Sequence, residues 1–90
     1  AWFMLGWALR KMGRFEDAKQ AFLEAIKFGG DKNSDTLNEL ALCLIQLEEF
    51  SLAKKYLLDA FALSPESTKI ISNLGYLALA EGNKQEARTK

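Results

Sequence analysis

The sequence predicts an all-α protein, an α-solenoid of antiparallel helix pairs with about five full helices and a C-terminal stub. Three observations predict it. Short patterns recur at intervals of about 34 residues: Leu5-Gly6, Leu40-Ala41 and Leu74-Gly75, then Ala18, Ala53 and Ala87, then Phe22/Ala25 and Leu57/Ala60. A fixed period of this size marks stacked units, none of which buries its apolar face alone. Within the units apolar residues fall at helical spacing, as in Trp2, Leu5, Leu9 and Met12 and again in Leu37, Leu40, Leu44 and Leu47. Glycine-rich or polar breaks separate these stretches at regular places.

Each element follows from these signals. The first helix is expected over 2–13, ended by Met12-Gly13-Arg14. The second, over 15–28, carries the stripe Phe15, Ala18, Phe22 and Ala25. Gly29-Gly30-Asp31-Lys32-Asn33-Ser34 ends it and caps the third helix, over 34–47. Glu48-Glu49 turns the chain into a fourth helix, over 50–63, with the stripe Phe50, Ala53, Leu57 and Ala60. Ser64-Pro65-Glu66 ends that helix and starts the fifth, over 66–81, since proline is tolerated in a first turn. Glu81-Gly82-Asn83 is expected to turn the chain into a short polar stub over 84–90.

The first helix of each pair is expected to lay its stripe on its partner, which makes Trp2 structural. Gly6, Ala41 and Gly75 are small where the two helices of a pair cross. A larger side chain there would overpack by ~1–3 kcal/mol. Glycine inside a helix costs ~1 kcal/mol against alanine, so its presence implies a packing reason. Helices of about 13 residues are marginal alone in water, so stability must come from neighbours. The N-terminal end is expected to be sticky and to promote self-association.

Composition narrows the function. Ninety residues with 49% hydrophobic content allow one small globular domain. Lysine plus arginine number 12 and aspartate plus glutamate number 12, a balance that argues against a nucleic-acid or anionic-membrane surface. No run approaches the ~20 apolar residues needed to cross a bilayer. There is no histidine, so the commonest general base and zinc ligand are both absent. The single cysteine, Cys43, lies between Leu42 and Leu44 and reads as a packing residue. A free thiol suits a reducing compartment, which favours the cytoplasm. Asp31, Asp35, Glu48 and Glu49 lie in or near turns, with no histidine to build a catalytic or metal site around them. No cofactor or metal is expected, and the chain reads as no enzyme.

The first unit, Trp2-x-x-Leu5-Gly6-x-x-Leu9 followed by Ala18, Phe22 and Ala25, resembles the tetratricopeptide repeat. Leu37-x-x-Leu40-Ala41-x-x-Leu44 with Ala53, Leu57, Ala60 and Pro65 repeats the pattern. Ile71-x-x-Leu74-Gly75-x-x-Ala78 with Ala87 begins a third copy. The resemblance implies a right-handed superhelix in one domain, with unit one at 1–33, unit two at 34–67 and a partial unit three at 68–90. The sequence departs from the pattern at Gly30, where the family often has proline. It departs again at Lys84, where the earlier units have Phe15 and Phe50. The chain starts inside one unit and stops partway through another, so it reads as a segment of a longer protein.

The resemblance also implies a function. In this family the first helix of each pair lines a concave groove that commonly takes peptides or helices of partner proteins. Here the groove is expected from Phe3, Trp7 and Arg10, then Asn38, Leu42 and Ile45, then Lys69, Asn73, Tyr76 and Leu79. Helical spacing independently puts Phe3/Trp7/Arg10, Asn38/Leu42/Ile45 and Ser72/Tyr76/Leu79 on faces offset from the core stripes. A clamp for chaperone carboxyl termini, which some members carry, is not expected. Phe3, Trp7 and Glu39 stand where it needs donors, and only Lys69 fits. The leading expectation is therefore a non-catalytic scaffold that binds a peptide or helix. The alternatives are a spacer or self-association module of a longer solenoid, and a non-catalytic segment of an enzyme whose active site lies in another domain.

Overall fold

The computed structural model describes residues 2–29 and 33–89, with side chains as far as residue 84. Among the described residues there are five α-helices and no strand: α1 (Trp2–Lys11), α2 (Phe15–Lys27), α3 (Ser34–Gln46), α4 (Phe50–Leu63) and α5 (Thr68–Thr89). Helices α1 and α2 form one antiparallel pair and α3 and α4 the next, and the whole extends over 43 × 29 × 18 Å. Gly30, Asp31 and Lys32 of the expected first linker lie outside the described residues. No described helix is long and apolar enough to cross a membrane.

Local chemistry sets the boundaries. Gly13 (φ +81°) and Gly29 (φ +107°) take the left-handed conformation that ends α1 and α2. Glu48, at the position of Gly13 one unit on, adopts φ 63° without being glycine. The Asn33 side chain accepts a hydrogen bond from the Asp35 amide at 2.9 Å and caps α3. Pro65 and Glu66 form a turn and not a first helical turn; α5 starts at Thr68, behind Ser67, whose Oγ accepts from the Ile70 amide at 3.4 Å.

The core is built on the second pair. Ala18, Phe22, Leu40, Ala41, Cys43, Leu44, Ala53 and Leu57 are fully buried in one cluster. Leu37, Ala60 and Ile70 form a second. Gly6 meets the expectation of a close crossing, because a Cβ there would lie 2.8 Å from the Phe22 ring. Phe3 adds an edge-to-face contact with the same ring, centroids 5.8 Å apart.

Three expectations are corrected. The first-unit stripe is not core: Trp2 is 43% exposed and Leu5 and Met12 are exposed too, with only Leu9 partly buried. In α3 the matching Leu37, Leu40 and Leu44 are buried because α2 packs on one side and α4 on the other, whereas α1 has described neighbours on one side only. Gly75 marks no helix crossing, since a Cβ there would meet nothing within 4 Å. The turn at Glu81-Gly82-Asn83 does not form, and α5 runs unbroken through it to Thr89. The stub has no aromatic to bury at Lys84, and Lys84 Nζ instead pairs with Glu48 Oε2 at 2.7 Å, which holds the straight helix against the α3–α4 turn.

Candidate functional site

The concave face is set by the three first-of-pair helices. A cavity of about 690 Å³ runs across α1, α3 and α5. Phe3, Trp7 and Leu42 supply its apolar surface, set among polar and charged side chains from all three helices, with Lys69, Ser72 and Asn73 on the α5 wall. Seven expected residues meet there: Phe3, Trp7, Arg10, Asn38, Leu42, Lys69 and Asn73. Three do not. Ile45 is 4% exposed and packs in the core, so it gives the cavity no surface. Tyr76 and Leu79 are exposed further along α5; the Tyr76 hydroxyl accepts a hydrogen bond from Gln46 at 2.9 Å.

The polar groups are mostly satisfied by one another. Arg10 Nη2 donates to Glu39 Oε1 at 3.0 Å, with side chains 22% and 12% exposed. That pair ties α1 to α3 and neutralises the carboxylate at the centre of the groove. The Arg10 Nε is buried with no acceptor among the described residues. Asn73 Nδ2 donates to Asn38 Oδ1 at 2.6 Å and ties α3 to α5. Among the described residues the Asn38 amide N–H groups and the Asn73 carbonyl have no further partner. Lys11 lies 5.2 Å from the Trp7 ring centroid, a cation–π distance.

Ser72, placed on this face by helical spacing, does line the cavity, whereas Lys11, Asp35 and Thr68 were not expected there and Glu39 was expected only as a departure from the chaperone-clamp pattern. Each sits next to, or one turn from, a residue that was named. The groove covers a wider arc of each helix than a single i, i+4, i+7 row, and that width was the missing signal.

Cys43, just beneath the groove, is fully buried, and burial pushes its thiol up to about 12, with Arg10 opposing and Glu39 reinforcing the shift. A thiol so placed is inert as a nucleophile near neutral pH. Among the described residues no three acidic or sulfur ligands converge on a metal position.

Two family models, both described as tetratricopeptide repeat, match this chain, one over residues 1–30 and the other over 34–67. The chain belongs to the tetratricopeptide repeat family. The matched segments coincide with the two helix pairs α1–α2 and α3–α4. No curated protein matches the chain. Tetratricopeptide repeats are in general protein-interaction scaffolds, typically without catalytic activity.

Proposed function

We propose that this tetratricopeptide segment is a non-catalytic scaffold that binds a peptide or helix of a partner protein along its concave face. The observation that supports the reading is the cavity across α1, α3 and α5, in which Phe3, Trp7 and Leu42 lie among polar and charged side chains. Aromatic side chains are favoured anchors in recognition surfaces, and Trp7 is 41% exposed while lining this one. An amphipathic segment would set its apolar face on Phe3, Trp7 and Leu42. Its polar face would meet Lys11 and Lys69, the cavity-lining cations that form no ion pair with a carboxylate among the described residues. The free N–H groups of Asn38 and the free carbonyl of Asn73 match the acceptor and donor of a peptide backbone.

The test is affinity capture from source lysate with the chain and with its Trp7→Ala/Lys69→Glu variant. Both positions are surface-exposed, so circular dichroism should show both proteins folded. Partners lost only with the variant support the groove; identical sets of partners contradict it.

A second reading, self-association through the N-terminal end, is favoured by the exposed apolar side chains of Trp2, Met4 and Leu5 on α1 and of Met12 in the turn after it. Sedimentation velocity across a concentration series tests it, with Leu5→Glu expected to dissolve any dimer. A monomer at every concentration would count against this reading.

A further inference from the structure

Two side-chain amides meet in the wall of the concave cavity, and their hydrogen-bonding capacity is only partly used. Asn38 is 5% exposed, one of two polar side chains buried among the described residues, and it lines the cavity together with Asn73. Its Oδ1 accepts from Asn73 Nδ2 at 2.6 Å. Among the described residues no acceptor meets the Asn38 N–H groups and no donor meets the Asn73 side-chain carbonyl. The Asn38 nitrogen is not sealed off: the buried side-chain atom that is sealed without a partner is Arg10 Nε. A donor and an acceptor therefore stand side by side at the cavity surface. The balance is the same if both amides are turned over, since one then still donates to the other.

The energetics separate two kinds of occupant. A helix has its main-chain N–H and C=O groups bonded within itself. Laid over the pair, it would bury both amide groups without main-chain partners, at a cost of about five- to a hundredfold in affinity for each. An extended chain leaves its main-chain groups free. The N–H and C=O of one extended residue point to the same side, as in a hydrogen-bonded antiparallel strand pair, so a single residue can answer both amides. Phe3, Trp7 and Leu42 line the same cavity and offer apolar surface for the side chains next to that residue.

We propose, building on the scaffold function above, that the segment taken by the concave face is extended and not helical, and that the Asn38–Asn73 pair reads its main chain. The C=O of one ligand residue accepts from Asn38 Nδ2, and its N–H donates to the Asn73 side-chain carbonyl. The partner class is then a loop or unstructured stretch of another protein, which orders on binding. Reading through the main chain tolerates any side chain but proline at the paired residue, so specificity falls on its neighbours, which meet Trp7 and Leu42.

The probe is a displayed library of random dodecapeptides, selected on the 90-residue chain and counter-selected on its Trp7→Ala variant. Retained peptides are synthesised, each main-chain N–H is methylated in turn, and affinities are read by fluorescence anisotropy. Methylation at one position is expected to weaken binding about five- to tenfold, the scale of one lost hydrogen bond. That effect should vanish in Asn73→Ala, which lacks the carbonyl. Asn73 is only partly buried, so this variant should stay folded, and circular dichroism checks it. A helical ligand would instead lose affinity at several successive positions, equally in both proteins, because methylation breaks its own hydrogen bonds. That pattern decides on the unaltered chain even without the variant. Peptides that need Trp7 but show the helical pattern, or no sensitive position, would overturn this proposal and leave the groove as the binding face. A selection that yields no peptide dependent on Trp7 would overturn both.

Discussion

A Cβ placed on Gly6 would lie 2.8 Å from Cε1 of Phe22, so the ring of α2 rests on the backbone of α1. One face of α1 is set by this contact, and with it the direction in which Phe3 and Trp7 point into the groove. Gly75 holds the same place two units later and touches nothing.

The pair yields opposite predictions for one substitution. Gly6→Ala gains up to ~1 kcal/mol of helix propensity but forces the Phe22 ring to shift, at an overpacking cost of ~1–3 kcal/mol. It should lower stability by about 1 kcal/mol. Gly75→Ala meets open space and should raise stability by about 0.5–1 kcal/mol. Urea unfolding followed by circular dichroism measures both; equal effects at the two sites would contradict the packing described.

That contrast marks what the sequence could and could not reveal. The period of about 34 residues, with Gly6, Ala18 and Phe22 recurring in phase, was enough for the helix pairs, because helical spacing and turn residues are local properties. What it could not reveal was which copies of a repeated residue have a neighbour. Trp2, Leu37 and Ile71 are equivalent in sequence, yet only Leu37 lies between two helices and is buried. The glycine at 82 carried the same turn signal as Gly13, but a turn forms only when the segment after it has something to bury. Lys84 found an ion pair along a straight helix instead. For the groove, helical spacing placed Trp7 and Leu42 well, while Ile45 was taken inward by the packing of the second pair.

Glu48 occupies a left-handed conformation that glycine holds at the equivalent Gly13. A non-glycine residue there costs ~1–2 kcal/mol, while its exposed ion pair with Lys84 contributes at most ~1 kcal/mol. Glu48→Gly should therefore change stability little or raise it slightly. In a Lys84→Ala background, where the pair is already gone, the same change should stabilise by about 1 kcal/mol. A double-mutant cycle in urea reads the difference, and a loss of stability in both backgrounds would contradict this account.

Cys43 makes stability depend on alkaline pH. Its thiol titrates at about 12 in the folded protein against an ordinary value of 9.0. Between these values the unfolded chain has released the proton while the folded chain retains it. The contribution is thus fully present below pH 9 and is lost as pH rises toward 12, at up to ~1.4 kcal/mol per pH unit. Other groups titrate in this range, so the comparison is with Cys43→Ala, whose stability curve should fall less steeply above pH 9. Parallel curves would show that the thiol is not held neutral by burial. The same burial predicts that alkylation of Cys43 at pH 8 proceeds only as fast as the protein opens, and speeds up in urea.

The Arg10–Glu39 pair should act as a strut of the groove floor. Glu39→Gln leaves the partly buried Arg10 guanidinium without its carboxylate, which should cost about 1–3 kcal/mol. Replacing both residues, as Arg10→Met/Glu39→Met, should cost less than the two single changes summed, since neither charge is then left unpaired. Chemical denaturation of the four proteins tests this, and strict additivity would mean that the pair is not coupled.

In the proposed function the concave face, and not the outer surface, meets the partner. A photo-crosslinking amino acid placed at Leu42, in the groove, can be compared with one at Asp59, exposed on α4 outside the groove. After irradiation in source lysate, a discrete crosslinked protein is expected from position 42, lost when Lys69→Glu is added, and none of the same mass from position 59. Crosslinking from position 59 alone, or equally from both, would contradict it.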